Sequence, residues 1–316
     1  MTITNKKILL LAPKFFGYEE RIFQALRKAG MDVALEYIYK PSRQERYMSK
    51  LFKGFAAKKT EGYYAQISRK YRDGRFGFFL VVDGKGVPES FLRSIISDHP
   101  AMCSIYYSWD SLQYFDYLSW LKIFDRVYTF DYKDSQEYNI KYLPLFYSPE
   151  LDEISDRNEK EFDLLFIATF KESRLAFINS ITERYDKNLR IKVVLSLSVY
   201  RYIIDRLKGK KIRRKDVVFQ PLPFESYLDL LSKTEVVLDY TPQTQTGLPM
   251  RIPEAIGARK KIITNNENVF DEFNHSPNVM VYDEDTDILP FIKQPKSEMP
   301  EREKYSIENW INVMLS

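Results

Sequence analysis

Short apolar runs alternate along the whole chain with longer segments whose apolar residues recur at helical spacing. Strands are predicted at residues 7–11 and 33–37 and helices at 18–29 and 42–72, and the second half repeats the alternation, with one strand predicted at 217–219. The pattern contains no regular long hairpins. Strands that alternate with helices form parallel sheets, so the sequence predicts an α/β protein.

The length of the chain predicts more than one domain. A single hydrophobic core rarely grows beyond about 250–300 residues, and this chain has 316. Residues 148–161 (SPELDEISDRNEKE) are acidic and almost free of large apolar side chains, which is typical of a linker. We therefore predict an N-terminal Rossmann-like domain over residues 1–150, a C-terminal one over 151–304, and a short helix over 305–316 that packs back on a domain.

Cysteine usage and hydropathy limit the cellular compartments that the sequence fits. The single cysteine, Cys103, excludes a disulfide framework and fits a reducing cytosol. The apolar run at residues 8–12 is too short for a signal peptide, and no window approaches the roughly 18 apolar residues of a membrane span. The sequence predicts a cytoplasmic protein, attached at most to the inner face of the cytoplasmic membrane.

Basic residues are concentrated in two segments, although the net charge is only +4. The first runs from Lys40 to Arg75 and includes Arg43, Arg46, Lys50 and Lys53; it is interleaved with Tyr47, Phe52, Phe55, Tyr63 and Tyr64. The second is the run KGKKIRRK at residues 208–215. Both segments could be solvated surfaces, or they could bind phospholipid headgroups, a lipid diphosphate or nucleic acid. The aromatic residues of the first segment favour docking against an anionic membrane.

Several motifs that would define a cofactor or metal site are absent. No G-x-G-x-x-G follows a predicted strand and no G-x-x-x-x-G-K-[ST] exists, so a dinucleotide fold and a P-loop lack their signatures. The two histidines, His99 and His275, are far apart in the sequence, which leaves each at most the role of a lone base. The acidic run at 283–287 is predicted to be a solvated loop. We therefore predict no metal and no bound cofactor.

Residues 236–266 (VVLDYTPQTQTGLPMRIPEAIGARKKIITNN) carry the most specific functional signal. Strand, loop, helix and strand follow in the order of a βαβ unit, in which ligands bind off the strand carboxyl ends and the helix N-terminus. Gly247 lets the backbone approach a phosphate, and Thr246 can donate a hydroxyl hydrogen bond. The planar fork of Arg251 suits bidentate phosphate contact, and Glu254 can accept both hydrogen bonds of a ribose diol. The unit predicts a nucleotide diphosphate site, although Arg251 and Glu254 could also pair on a surface helix.

The run T-G-L-P-M-R-I-P-E-A-I-G at residues 246–257 resembles the donor-nucleotide motif of GT-B glycosyltransferases. It is most similar to the bacterial branch that assembles capsule, O-antigen and lipopolysaccharide glycans. In many of these enzymes two glutamates lie eight positions apart, and the second binds the ribose. Glu254 matches the second glutamate, but Thr246 occupies the position of the first, which usually contacts the donor sugar or phosphate. The resemblance implies that the donor is bound by Gln245, Thr246, Gly247, Arg251 and Glu254.

The resemblance extends over most of the chain. Residues 163–174 (DLLFIATFKESR) look like the first strand of the C-terminal domain and its phosphate-facing loop, which would place Thr169, Lys171 and Arg174 near the diphosphate. The S-W-D sequence that ends at Asp110 is similar to an N-domain loop that faces the interdomain cleft. The implied architecture is two Rossmann-like domains that face each other across a cleft, with the acceptor mainly on the first and the donor mainly on the second.

The predicted activity is metal-independent transfer of a sugar from a nucleotide-diphosphate-sugar to a glycan or lipid-linked acceptor in cell-surface polysaccharide biosynthesis. Arg251, Lys171 or Arg174 would stabilise the charge of the leaving group. If the reaction inverts the anomeric configuration, Asp110 is the first candidate for the base and Glu19 the second, because both lie near strand ends of the N-terminal domain. Domain closure would assemble the site and exclude water.

Other classes of protein stay open at this point. A GT-B-like sugar-nucleotide epimerase or hydrolase would use a similar donor pocket without an acceptor. A non-catalytic nucleotide-sugar binding protein is an alternative because Thr246 breaks the two-glutamate pattern, and a nucleic-acid-binding protein would explain the basic segments. The modest net charge and the lack of a recognised binding motif argue against nucleic acid as the partner.

Overall fold

The computed structural model describes residues 5–42, 44–45, 47–48, 54–154, 160–210, 212–242, 245–273, 276–299 and 301–316. The chain divides into two compact units: Met1–Leu145 with Ile307–Ser316, and Phe146–Ser306. Each unit contains one parallel sheet with helices between its strands, which confirms the predicted α/β class. Some residues named in the predictions lie outside the described residues: Arg43, Arg46, Lys50, Phe52, Lys53, 155–159, Lys211 and His275.

The first unit is built on a six-stranded parallel sheet with the strand order β2-β1-β3-β4-β5-β6. Numbered in chain order, its strands are Lys7–Ala12, Asp32–Tyr37, Phe78–Val82, Cys103–Ser108, Arg126–Thr129 and Lys141–Tyr142. Its helices are α1 Tyr18–Lys28, α2 Phe55–Tyr71, α3 Glu89–Asp98, α4 Tyr132–Tyr138 and, from the end of the chain, α12 Ile307–Leu315. The chain runs outward from β1 to β2 and then crosses back to β3, so the strand order reverses between β1 and β3.

The apolar pattern explains how the first unit is packed. Every residue of β3 (FFLVV) is buried, as expected for an inner strand whose two faces are both covered. The C-terminal helix α12 completes this core, because the ring of Trp310 packs edge-on against Tyr107 at 4.8 Å. Arg126 Nη1 also donates a hydrogen bond to the Met314 carbonyl at 2.7 Å, which ties the end of the chain to β5.

The second unit is built on a five-stranded parallel sheet with the order β11-β10-β9-β7-β8. Strands β7 to β11 are Phe162–Thr169, Ile191–Ser196, Thr234–Asp239, Lys261–Thr264 and Val279–Val281. Helices α5 to α11 are Pro149–Asp152, Glu172–Tyr185, Val199–Leu207, Phe224–Ser232, Arg251–Gly257, Val269–Phe273 and Leu289–Lys293. Successive β7 residues enter opposite cores: Leu164 packs on one face of the sheet and Leu165 on the other. The strand order reverses between β7 and β9.

The structure departs from the predicted elements in several places, among them α5, which lies inside the predicted linker at 148–161. The strand predicted at 217–219 is wrong, because only Val218 pairs, through a single bridge to Ser196, and β8 remains the edge strand. Strand β11 was not predicted, since its three residues are too few to show a period. Within the helix predicted at 42–72, the described residues 44–45 and 47–48 are helical, and α2 begins after Gly54, whose left-handed φ of 84° interrupts a helix.

Two aromatic residues of the first basic segment do not face solvent. Tyr64 is 2% exposed and packs in the core of the first unit. Tyr63 is half-buried, and its hydroxyl donates a hydrogen bond to the Tyr37 carbonyl at 2.6 Å. The prediction that Tyr64 docks against a membrane is therefore wrong, and for the half-buried Tyr63 it stays a prediction. Within the described ranges, no helix is both long and apolar enough to cross a membrane.

Candidate functional site

Each sheet has one point at which the strand order reverses, and ligands of open parallel sheets bind beside such points, outside the strand carboxyl ends. In the second unit the adjacent strands β7 and β9 end there at Thr169 and Asp239. In the first unit β1 and β3 end there at Ala12 and Val82. The predicted site residues lie on the loops and helices that follow these strands and their neighbours.

A buried carboxylate organises the edge of the second unit. Asp239 has no exposed surface, and it accepts hydrogen bonds at 2.9 Å from the hydroxyls of Thr241 and Thr264. It also forms an ion pair with Arg251 of α9. One side chain thus joins β9, β10 and α9. Asp239 has no predicted role, although an acid that ends an apolar strand is a signal that could have identified it.

Arg251 bridges the two strands at the reversal point. Besides its ion pair with Asp239, it donates a hydrogen bond from Nε to the carbonyl of Ile167 in β7 at 2.9 Å. Its side chain is 15% exposed. Within the described residues its hydrogen bonds use Nε and Nη1, so the guanidinium is fixed in place with its second amino group as the remaining donor. Arg251 is therefore both a structural tie and the fixed cation of this edge.

The loop before α9 is tied to the end of β10 by two asparagines. Asn265 exchanges two hydrogen bonds with the Thr241 backbone, at 2.7 and 2.9 Å. Asn266 Nδ2 donates to the Thr246 carbonyl at 3.2 Å, and Gln245 Nε2 donates to the Gly247 carbonyl at 3.2 Å. The three predicted loop residues Gln245, Thr246 and Gly247 are thus held beside the carboxyl ends of β9 and β10. The asparagines that hold them had no predicted role.

Glu254 lies on the buried side of α9. It is 6% exposed, and its Oε2 accepts a hydrogen bond from the Tyr227 hydroxyl of α8 at 2.9 Å. This contact orients the carboxylate and rules out the alternative of a solvated surface residue paired with Arg251. Tyr227 was missed from sequence, because nothing in the apolar pattern of α8 distinguishes it from a packing residue.

The loop after β7 brings two of the three other predicted donor residues together. Arg174 Nη1 donates hydrogen bonds to the Thr169 carbonyl at 3.0 Å and to its hydroxyl at 2.7 Å. Lys171 is exposed and lies at the N-cap position of α6, where the first backbone N–H groups of a helix favour anions. The edge of β7 therefore has two cations, Lys171 and Arg174, within five residues of its last strand position.

In the first unit, Glu19 closes the loop after β1. Its Oε2 accepts a hydrogen bond from the Phe15 backbone N–H at 3.0 Å, and its side chain is buried. Phe16 and Gly17 adopt left-handed backbone angles, with φ of 52° and 77°. The loop holds the rings of Phe15 and Phe16 about half exposed, at 49% and 55%. Glu19 thus anchors the loop that presents two aromatic rings at this edge.

Two carboxyl groups follow adjacent strands of the first unit. Asp110 comes after β4, and Asp83 comes after β3. Burial raises the pKa of Asp110, an effect that the Lys85 ammonium partly offsets. Burial and the neighbouring charge of Asp110 raise the pKa of Asp83 to about 7. Asp83 was missed, although it directly follows the most apolar strand of the chain and precedes a glycine.

Asp83 is held in an unusual position. Its φ of 65° is left-handed, which a residue other than glycine rarely adopts. Its Oδ1 is buried and accepts no hydrogen bond from any described residue. The exposed ring of Phe15 approaches Trp109, which precedes Asp110, at 5.7 Å. Two carboxyl groups with raised pKa values and a partly exposed aromatic surface therefore mark the carboxyl edge of this sheet.

The other titratable candidates belong to the framework. His99 is buried and packs edge-on against Phe76 at 5.7 Å, in the core of the first unit. Asp283 accepts hydrogen bonds from the Thr286 hydroxyl at 2.6 Å and from the Asp285 N–H at 3.0 Å, contacts that close its own loop. In the part of the chain that the structure describes, no three His, Cys, Asp or Glu side chains are grouped to hold a metal ion.

Comparisons with known proteins identify the fold. A lipopolysaccharide outer core galactosyltransferase, WaaB, superposes with a TM-score of 0.51 and 11% identity, over 98% of this chain and 95% of that one. A trehalose-6-phosphate synthase studied for glycosyl transfer with retention superposes with a TM-score of 0.64 and 10% identity, over 98% of both chains. A structure described as trehalose-6-phosphate from E. coli bound with UDP-2-fluoro glucose superposes with a TM-score of 0.62 and 11% identity, again over 98% of both chains. No protein-family model and no curated protein sequence matches the chain.

The class of fold follows from these matches. Two parallel α/β units in one chain, with sheets of six and five strands, are the GT-B architecture that the sequence resemblance implied. At 10–11% identity the similarity establishes the fold and leaves the activity to be argued from the residues of this chain.

Proposed function

We propose that this protein is a glycosyltransferase that moves a sugar from a nucleotide-diphosphate-sugar to a hydroxyl-bearing acceptor. The observation that carries the proposal is the edge of the second unit, where the buried Asp239 and the Ile167 carbonyl fix Arg251 between β7 and β9. A preorganised cation at a sheet reversal point suits a diphosphate. The fold supports the same conclusion, since one similar structure carries a UDP-sugar analogue.

The donor contacts follow from the positions of the side chains. Glu254, oriented by Tyr227, would accept the hydrogen bonds of the ribose diol. Lys171 and Arg174 would neutralise the diphosphate as the glycosidic bond breaks, together with the remaining donor of Arg251. This set of cations supplies the charge stabilisation that a metal ion gives in other transferases, which is why we propose a metal-independent reaction with no cofactor beyond the donor. Gln245, Thr246 and Gly247 would bind the donor through the loop that Asn266 holds.

The acceptor side is proposed for the edge of the first unit. If the reaction inverts the anomeric configuration, a base must remove the proton of the attacking hydroxyl. Asp110 fits this role, and Asp83 would tune it, because a second carboxyl nearby favours a proton shared between the two. Glu19 is better suited to hold the loop than to act as the base, since it already accepts the Phe15 N–H. NMR of the product would show whether the configuration is inverted or retained.

Thermal-shift measurements test the donor site. UDP, GDP, dTDP and CMP are each added to the protein, and the nucleotide of the true donor is expected to give the largest shift. A ligand at about 100 times its Kd stabilises the folded state by roughly 2.7 kcal/mol. Glu254→Gln should reduce that shift, whereas Glu267→Gln, at an exposed glutamate that directly follows the βαβ unit, should not. The assignment is wrong if no nucleotide stabilises the protein, or if both variants respond as the wild type does.

A second measurement separates transfer from the related activities. Turnover of the nucleotide sugar is followed with and without glycan acceptors. Acceptor-dependent release of the nucleotide supports a transferase. Turnover without an acceptor would instead identify a hydrolase or epimerase, and binding without turnover a nucleotide-sugar binding protein.

The biological setting is also a proposal. A role in capsule, O-antigen or lipopolysaccharide synthesis is supported by the motif at 246–257 and by the fold shared with the galactosyltransferase WaaB. Such a role would place the protein in the cytoplasm, at the inner face of the membrane that holds lipid-linked acceptors. Contact of the Lys40–Arg75 segment with that membrane stays a prediction.

A further inference from the structure

Helix α7 of the second unit turns an apolar face toward solvent. Val199, Tyr200, Ile203 and Leu207 are 49%, 53%, 50% and 79% exposed. Each helical residue rotates the chain by about 100°, so these four side chains share one arc roughly 100° wide. An amphipathic helix of a globular protein normally buries such an arc against the core. In α7 the apolar arc instead faces solvent.

The opposite side of α7 explains why the apolar arc cannot turn inward. Asp205 lies on that side, is 2% exposed, and forms ion pairs with Arg201 at 2.8 Å and Lys210 at 3.6 Å. Tyr202 packs its ring against Phe219 at 5.1 Å. Rotating the helix would break these contacts and expose a paired carboxylate. The outward apolar face is therefore fixed by the fold.

Basic residues surround this apolar arc. Between residues 199 and 216 the sequence has eight lysines and arginines and two aspartates. Of the two acids, Asp205 is buried and Asp216 is paired with Arg213 at 3.0 Å. Lys208, directly after Leu207, and Lys215 are exposed and form no ion pair with a described residue. Arg201, Lys210 and Arg213 are thus paired with acids, whereas Lys208 and Lys215 leave positive charge beside the apolar arc without an ion pair to a described residue.

A groove of about 880 Å³ opens beside α7. Its lining includes the cations Arg206, Lys210 and Arg213 and the acids Glu183 and Asp216. Asn179 and Thr182 of α6 also line it, and among its described residues the cations outnumber the acids. The groove could accept a compact anionic headgroup while apolar side chains on the adjacent helix face enter the region of the acyl chains. Exposed apolar side chains next to clustered basic ones are the combination that binds helices in the plane of an anionic membrane.

We propose that residues 199–210 and 212–215, which we call the α7 face, dock the protein on an anionic phospholipid surface. A second copy of the chain is a poorer occupant, since two such faces would bring like charges together. The first basic segment is also a poorer candidate within the described residues. Helix α2 exposes Lys58 and Lys59 but turns Tyr64 into the core, so it lacks the apolar arc. The α7 face does not depend on the proposed catalytic activity.

Vesicle sedimentation tests this proposal without any substrate. The full chain is mixed with vesicles of phosphatidylcholine alone or with a minor fraction of phosphatidylglycerol. Binding is expected only with the anionic lipid, and it should weaken with salt because the attraction is electrostatic. Ile203→Gln with Leu207→Gln, which keeps helix-favouring residues, should lower the partition coefficient about tenfold. Lys208→Glu with Lys215→Glu should lower it at least as much and remove most of the salt dependence.

Matched controls use exposed residues elsewhere. Tyr138→Gln removes a 39% exposed aromatic side chain from the first unit, and Lys58→Glu with Lys59→Glu reverses two exposed charges on α2. Both control variants should bind vesicles as the wild type does. Circular dichroism melting shows whether each variant is folded, and only folded variants are compared.

Three outcomes would overturn the proposal. The first is a wild-type protein that does not sediment with anionic vesicles. The second is binding that survives both α7 variants, or that the Lys58/Lys59 variant abolishes equally. The third is a dimer, seen by light scattering, that the Ile203/Leu207 variant separates, which would identify the α7 face as a contact between two copies.

Discussion

Asp83 and Asp239 occupy equivalent places in the two units, yet their surroundings are opposite. Each follows a buried strand beside the point at which its sheet reverses direction. Asp239 is enclosed by two hydroxyl donors and the Arg251 guanidinium. The pKa of Asp83 is raised to about 7, mainly by burial, and its Oδ1 is unpaired among the described residues. A neighbouring carboxylate, Asp110, also raises this pKa, and Lys85 offsets the effect only in part. The same fold position therefore carries a carboxylate in two different charge environments, which suit the proposed anion binding in one unit and the proposed proton transfer in the other.

The largest effect that tests this comparison is expected at Arg251. Arg251→Ala leaves the Asp239 charge buried without its partner, which typically costs about 3–5 kcal/mol of unfolding free energy. Denaturant unfolding measures the change. The exposed pair of Arg259 with Asp152 provides the control, and Arg259→Ala should cost only about 0–1 kcal/mol. Equal effects of the two substitutions would show that Arg251 does not compensate Asp239. Arg251→Ala is consequently a poor probe of donor binding, for which Glu254→Gln is preferred.

A smaller effect with the opposite sign is expected at Asp83. Because the pKa of Asp83 is raised in the folded protein, mainly by burial, ionisation destabilises the fold as the pH rises toward and through about 7. Asp83→Asn removes that cost, so it should stabilise the protein by about 2–4 kcal/mol at pH 8 and by little at pH 4. Asp239→Asn should destabilise at pH 8, because it removes the partner of Arg251. Denaturant titrations at the two pH values decide the point, and a pH-independent effect of Asp83→Asn would contradict it.

The smallest of the three effects is expected at Glu19. Glu19→Ala leaves the Phe15 N–H without its carboxylate acceptor, which should cost about 1–2 kcal/mol. If Glu19 anchors the loop, the pH dependence of transfer should keep its midpoint while KM for the acceptor rises. Glu20→Ala, the next residue on α1, serves as the control, since Glu20 is exposed. A shifted pH midpoint in Glu19→Ala would instead make Glu19 the base and remove that role from Asp110.

The sequence predicted the alternation of strands and helices well, because apolar period and length are local properties. The predicted ends of β1, β7 and β9 lie close enough to the observed ends to locate the carboxyl edges of both sheets. The sequence could not show that Arg251 is tied to Asp239 and to Ile167, since those contacts bring together residues 12 and 84 positions apart. No role was predicted for Asp83, for a related reason. Its raised pKa comes from burial and from Asp110, and neither can be read from an aspartate that ends an apolar run.

Helix α12 has a consequence for the order in which the protein is made. Its Trp310 completes the core of the first unit, yet it is synthesised after the whole of the second. Domains usually fold in the order in which they leave the ribosome. Here the core of the first unit stays incomplete until residues 307–316 have been synthesised, by which time the second unit can already have folded. A chain cut short before residue 307 would leave its opening segment, rather than its final one, incomplete.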